Sequence, residues 1–123
     1  MEKPKLFLPR ERTKNEIEIL LSDADSMVVY RAIIDAVNYE PDWRWLQSRC
    51  VELLRTGRDK TTRIGAIHGI QFLAAARGEV DPEVVIPALI EAQAEPDLAW
   101  DANDALNDIY YKFPSDRGSG THI

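Results

Sequence analysis

The chain has 123 residues, 45% of them hydrophobic and 29% charged, with a formal net charge of −6, a size that supports one domain around one hydrophobic core and not two. The charge is uneven: Met1–Gly78 holds 11 acidic and 13 basic residues, whereas Glu79–Tyr111 holds 9 acidic residues and no Lys or Arg. Such an acidic third repels nucleic acid and anionic membrane and steers basic partners toward itself, so neither nucleic acid nor membrane is an expected partner.

No apolar run approaches the roughly 18 residues of a membrane span, and no signal-peptide core follows the first lysines. Cys50 is the single cysteine, which forbids an internal disulfide and fits a reducing, cytoplasmic location. The lead-in MEKPKLFLPRER carries two prolines and reads as irregular. Beyond it the apolar period stays close to 3.6 residues. Ile17, Leu20 and Leu21 predict a short first helix. Asp25 or Ser26 starts a second, with Val29, Ala32, Ile33, Ala36 and Val37 inward. Pro41 is expected in the first turn of a third, with Trp43, Leu46, Cys50, Leu53 and Leu54 inward and Gly57 as its stop. Asp59 caps a fourth, which buries Ile64, Ile67, Ile70 and Leu73 and ends at Gly78. Asp81 caps a fifth with Pro82 at its first position, and Pro87 is expected to bend it or shorten its first part. Asp97 caps a sixth, which carries Leu98, Ala102, Ala105, Leu106 and Ile109. No stretch alternates with period two, so the fold class is all-α. Residues 1–113 form the helical domain, and 114–123 are expected to be a flexible tail.

A weak internal repeat runs through these helices. Asp25 lies seven residues before Ala32, which Ile33 and Ala36 follow; Asp59 lies seven before Ala66, which Ile67 and Ile70 follow, an offset of 34. In the last unit Asp97 precedes Ala105, Leu106 and Ile109 with one residue inserted. The units Pro41–Gly78 and Asp81–Phe113 resemble HEAT-type repeats, on the strength of the Asp59, Arg63, Ala66, Ile70 pattern. The resemblance implies about six helices in antiparallel pairs, forming a short right-handed solenoid. In the last unit Asp101 stands where the repeat arginine would. The stretch from "YEPDWRWLQSRCVELL" through "DANDALNDI" is similar to small HEAT-like immunity proteins of contact-dependent inhibition and polymorphic toxin systems. That likeness implies a non-enzymatic bacterial inhibitor, monomeric when free, whose partner is a cognate toxin domain.

Motifs for other chemistry are missing from the sequence. The histidines are His68, at the border of a packed face and expected to pack or hydrogen-bond, and His122 in the tail. Cys50 falls on a buried stripe and reads as a small hydrophobe. With these scattered ligands no zinc spacing exists. "RTGRDKTTR" follows a helix and lacks the glycines of a phosphate loop. The carboxylates of the sixth helix lack the glycine-bearing loop of a calcium site and the burial that acid–base work demands. Arg31, Lys60 and Arg63 are too few to form a nucleic-acid groove. No catalytic, cofactor-binding or metal-binding residue is therefore assigned.

The informative stretch is "DLAWDANDALNDIYY", residues 97–111. Asp97 and Asp101 stand where a helix start favours aspartate. Asp104 and Asp108 have no such reason: a like-charge pair at this spacing costs about 0.2–0.5 kcal/mol. Beside them, Trp100, Asp104, Asn107 and Tyr111 line one row. Aromatic anchors among carboxylates form the composition of a protein-binding patch, against the alternative that Trp100 packs on the fifth helix or the neighbouring repeat. Trp45 lies with Arg49 and Glu52 on the polar side of the third helix, either in the same role or as a rim contact to the N-terminal helices. The expected partner-binding residues are Trp100, Asp101, Asp104, Asp108, Tyr111 and Trp45. They would meet a protein with a basic surface, a nuclease toxin being the most natural. The competing reading is a general HEAT-like scaffold or adaptor for a peptide or an enzyme.

Overall fold

The computed structural model describes residues 8–114, so most of the expected tail lies outside the described residues. It contains six α-helices: α1 Lys14–Leu21, α2 Ser26–Tyr39, α3 Trp43–Thr56, α4 Lys60–Phe72, α5 Pro82–Gln93 and α6 Ala99–Lys112. Among the described residues there is no β-strand. The all-α reading holds, and no helix is long and apolar enough to cross a membrane.

Local capping chemistry places most of the helix starts. Thr13 and Glu16 form a reciprocal capping box on α1. Asp25 accepts from the Met27 N–H at 2.9 Å, and Asp59 from the Thr62 N–H at 2.8 Å, as the sequence indicates. Three starts differ. The cap of α3 is Asp42, which accepts from the Trp45 N–H at 3.1 Å, so Pro41 lies outside the helix. Asp81 occupies the cap position of α5, but its carboxylate takes Gln47 Nε2 at 3.1 Å instead of a backbone N–H. For α6 the cap position falls to Leu98, buried in the core, and Asp97 sits in the preceding turn. Burying Leu98 outweighs placing an aspartate at the cap, because a buried leucine is worth more than one capping bond.

Of the two effects expected of Pro87, the shortening is not met: α5 runs through it from Pro82 to Gln93. The bond it removes belongs to the Glu83 carbonyl, and both residues are exposed, so water can satisfy it. The fourth helix does not run evenly to its glycine: a π-helical turn, Leu73–Arg77, follows α4 and closes at Gly78, whose left-handed φ of +68° favours glycine.

Each consecutive pair packs together: α1 on α2, α3 on α4, α5 on α6. The even-numbered helices also form a series, α2 against α4 and α4 against α6, while α3 touches α5. The repeat positions are what this series buries: Ala32, Ile33 and Ala36 on α2, Ala66, Ile67 and Ile70 on α4, Ala105, Leu106 and Ile109 on α6. Gly69 brings α4 close to its neighbours, since a Cβ there would stand 2.6 Å from Ile33 Cγ2 and 2.8 Å from Cys50 Sγ.

Polar staples cross between units. Arg63 donates from Nε to the Leu54 carbonyl at 2.8 Å and from both terminal nitrogens to the Glu95 carboxylate at 2.8 and 2.7 Å. Arg55 grips Glu91 through two bonds of 3.0 Å. Both pairs line a cleft of about 290 Å³ between α3 and α5. Asp35, 1% exposed, accepts from Arg12 Nε at 2.7 Å and the Arg10 N–H at 3.0 Å, holding the lead-in against α2.

Candidate protein-binding face

The alignment of α2, α4 and α6 brings one polar side chain after another to a common seam. Tyr30 of α2 approaches α4 at Gly65, where a Cβ would stand 2.9 Å from its ring. Its hydroxyl lies 2.9 Å from His68 Nδ1, and the other ring nitrogen, Nε2, lies 3.1 Å from Asp101 Oδ1 on α6. A carboxylate only accepts, so Nε2 carries the proton; in the neutral ring Nδ1 then accepts from Tyr30. The seam is thus a directional chain, Tyr30 to His68 to Asp101. Burial, and then the Asp101 charge, raise the Tyr30 phenol above its usual range. The Tyr30 ring meets His68 edge-on at 5.8 Å, and the Phe72 ring lies 6.1 Å from His68.

One turn further along, Gln71 Nε2 donates to Asp104 Oδ2 at 3.0 Å and to Asp108 Oδ2 at 2.7 Å. A neutral amide therefore stands between two carboxylates on consecutive turns. Trp100 is 75% exposed and Tyr111 is 87% exposed. Trp100 does not pack on α5; it joins Asp104, Asn107 and Tyr111 on the outward face of α6.

Of the expected partner-binding residues, the structure groups Trp100, Asp101, Asp104, Asp108 and Tyr111 on one helix, with Asp101 turned inward to His68. Trp45 lies elsewhere. Its Nε1 donates to Glu18 of α1 at 3.1 Å, and Lys14 Nζ stands 5.4 Å from its ring. His68 is hydrogen-bonded, as its border position indicates. Cys50 is fully buried, and burial pushes its thiol up to about 12. Among the described residues no group of three or more His, Cys, Asp or Glu side chains is placed to hold a metal ion.

Sequence reading singled out neither Tyr30 nor Gln71 for the face. A signal for Gln71 existed: His68 and Asp101, and Gln71 and Asp104, are both 33 residues apart. A fixed offset between polar residues at the border of packed faces is the mark of adjacent repeats in register.

Fold and site together define an all-α protein that exposes an acidic, aromatic-bearing helix face. Among solved structures the chain is similar to one in the crystal structure of a CDI complex from Cupriavidus taiwanensis LMG 19424. The TM-score is 0.76 at 21% identity, over 90% of this chain and 99% of that one. No family model and no curated protein matches the chain.

Proposed function

We propose that this chain is a non-enzymatic immunity protein, which neutralises a toxin domain by covering a basic surface on it with the outward face of α6. The observation that carries the reading is the outward row Trp100, Asp104, Asn107 and Tyr111 with Asp108 at its edge: two exposed aromatics beside two carboxylates whose shared donor is one neutral amide. Such a row costs helix stability and has no counterpart in the other helices. Fully exposed aromatics gain most when a partner desolvates them. The shared fold with a chain of a CDI complex supports the same reading. A nuclease is the favoured toxin, because an enzyme that holds phosphates is basic there, and an acidic protein face associates quickly with such a surface. The packing series α2, α4, α6 beside α3, α5 supports a short HEAT-like solenoid, and we take the chain to be cytoplasmic and monomeric when free. Trp45 we assign to holding α1 on α3.

The test pairs genetics with binding. The neighbouring gene is expected to encode a toxin domain, and cells carrying that domain are expected to die unless this chain is expressed. Asp104→Lys with Asp108→Lys is expected to keep the helical circular dichroism and to weaken binding to that domain by about tenfold or more. Growth of cells that hold the toxin domain without this chain, or unchanged binding by the double variant, refutes the proposal.

A further inference from the structure

The reading above places contact on α6. The exposed apolar side chains do not stop there. Met27 of α2 is 51% exposed and Phe72, the last residue of α4, is 37% exposed. Phe72 lies against His68, and His68 joins α2 to α6 through Tyr30 and Asp101. Met27 lies one turn before Tyr30 on α2 and Phe72 one turn after His68 on α4, so the two flank the polar seam that joins the three helices. Its α6 margin is acidic, its α2–α4 margin carries the exposed Met27 and Phe72 beside the polar Arg31 and Asn38, and the Tyr30–His68–Asp101 chain fixes the two margins relative to each other. Isolated exposed apolar residues are ordinary; two of them beside a preorganised polar chain, continuous with an acidic margin, match the core-and-rim anatomy of an interface.

We infer that the docking surface spans α2, α4 and α6, and that its occupant is a protein whose basic groups lie beside an apolar patch. This rests on the immunity reading and deepens it. Charge complementarity orients the occupant: the basic groups meet Asp104 and Asp108, and the apolar patch falls on Phe72 and Met27. His68 is a positioning residue, holding Asp101 and Tyr30 in place between the two margins.

The inference separates affinity by charge from affinity by shape, so two probes test it: the toxin domain encoded by the neighbouring gene, and a decalysine peptide that offers charge alone. Phe72→Ala with Met27→Ala is expected to weaken the toxin domain about tenfold or more and to leave decalysine binding unchanged. His68→Gln, which keeps a side chain able to bond Asp101, is expected to retain more toxin affinity than His68→Ala. Equal thermal melts of all variants and parent guard against loss of fold. Unchanged toxin binding by the Phe72 and Met27 variant, while the Asp104 and Asp108 variant loses it, overturns this inference and leaves the immunity reading standing. Unchanged binding by both variants overturns the two together.

Discussion

Gly69→Ala tests whether the close approach of α2, α3 and α4 is the restraint that shapes the core. A Cβ built on Gly69 meets Ile33 Cγ2 at 2.6 Å and Cys50 Sγ at 2.8 Å. Ile33 and Cys50 are both buried, so neither can swing into solvent. Relief requires α2 or α3 to move away from α4. Overpacking of this kind costs about 1–3 kcal/mol. Against it stands a helix-propensity gain of about 1 kcal/mol for alanine over glycine. Two buried clashes at once place the packing cost toward its upper end, leaving a net loss of about 1–2 kcal/mol. For a chain of this length that lowers the melting temperature by roughly 3–12 °C. Urea unfolding followed by far-ultraviolet circular dichroism measures it, as a lower midpoint at unchanged slope. Adding Cys50→Ala removes one of the two clashing atoms, so the double variant should be less destabilised than the two single losses summed. A Gly69→Ala protein as stable as the parent would show that the helices are not held at this distance, and would refute the reasoning.

Asp35→Ala removes the acceptor of Arg12 Nε and of the Arg10 N–H. Because Arg12 keeps some access to water, the expected loss is about 1–3 kcal/mol, with faster tryptic cleavage after Arg10 and Arg12. Acid should destabilise the fold through three carboxyls held below their ordinary values: Glu95 by bonding to Arg63, Asp42 by bonding to Lys14, and Asp59 by the Thr62 N–H. Groups depressed in the folded state contribute stability that is present above the unfolded values, 4.5 for Glu95 and 3.8 for the aspartates. That stability is lost as pH falls through the folded values; Arg63→Gln should remove the Glu95 share and flatten the acid limb of a pH–stability curve. The Cys50 thiol, buried and pushed up to about 12, should resist a disulfide-exchange reagent at pH 8, reacting only at the rate of global unfolding.

The helices are legible in the sequence because each buries one stripe at helical spacing, and the caps Asp25 and Asp59 are legible because each stands just before such a stripe. The acidic row was also legible, since charge and aromatic spacing are local. What composition hid is tertiary. Asp35 and Gln47 lie buried among apolar residues, and nothing nearby marks them; their partners, Arg12 and Asp81, are 23 and 34 residues away. Asp97 has the residue type of a cap and loses the position to Leu98, since core burial decides where α6 begins. The π-helical turn before Gly78 has no composition of its own. Trp45 and Trp100 read alike as aromatic residues on polar helix faces, and only the position of Glu18 separates them.

The crossings between the middle and last units have a consequence for how the chain may be divided. Arg55 reaches Glu91 across 36 residues, Arg63 reaches Glu95 across 32, and Gln47 reaches Asp81 across 34. In each of these three bonds the side-chain donor lies before Gly78 and the carboxylate after it, while the Asp81 N–H donates back to Gln47, so the acidic third does more than face outward. It neutralises the half that precedes it. A chain cut at Gly78 would leave Arg55 and the buried Gln47 amide without the acceptors they use here, and Arg63 with the Leu54 carbonyl alone. The last unit is therefore the counterion of its neighbour, and the face offered to another protein can be altered freely only on the side that this bond does not use.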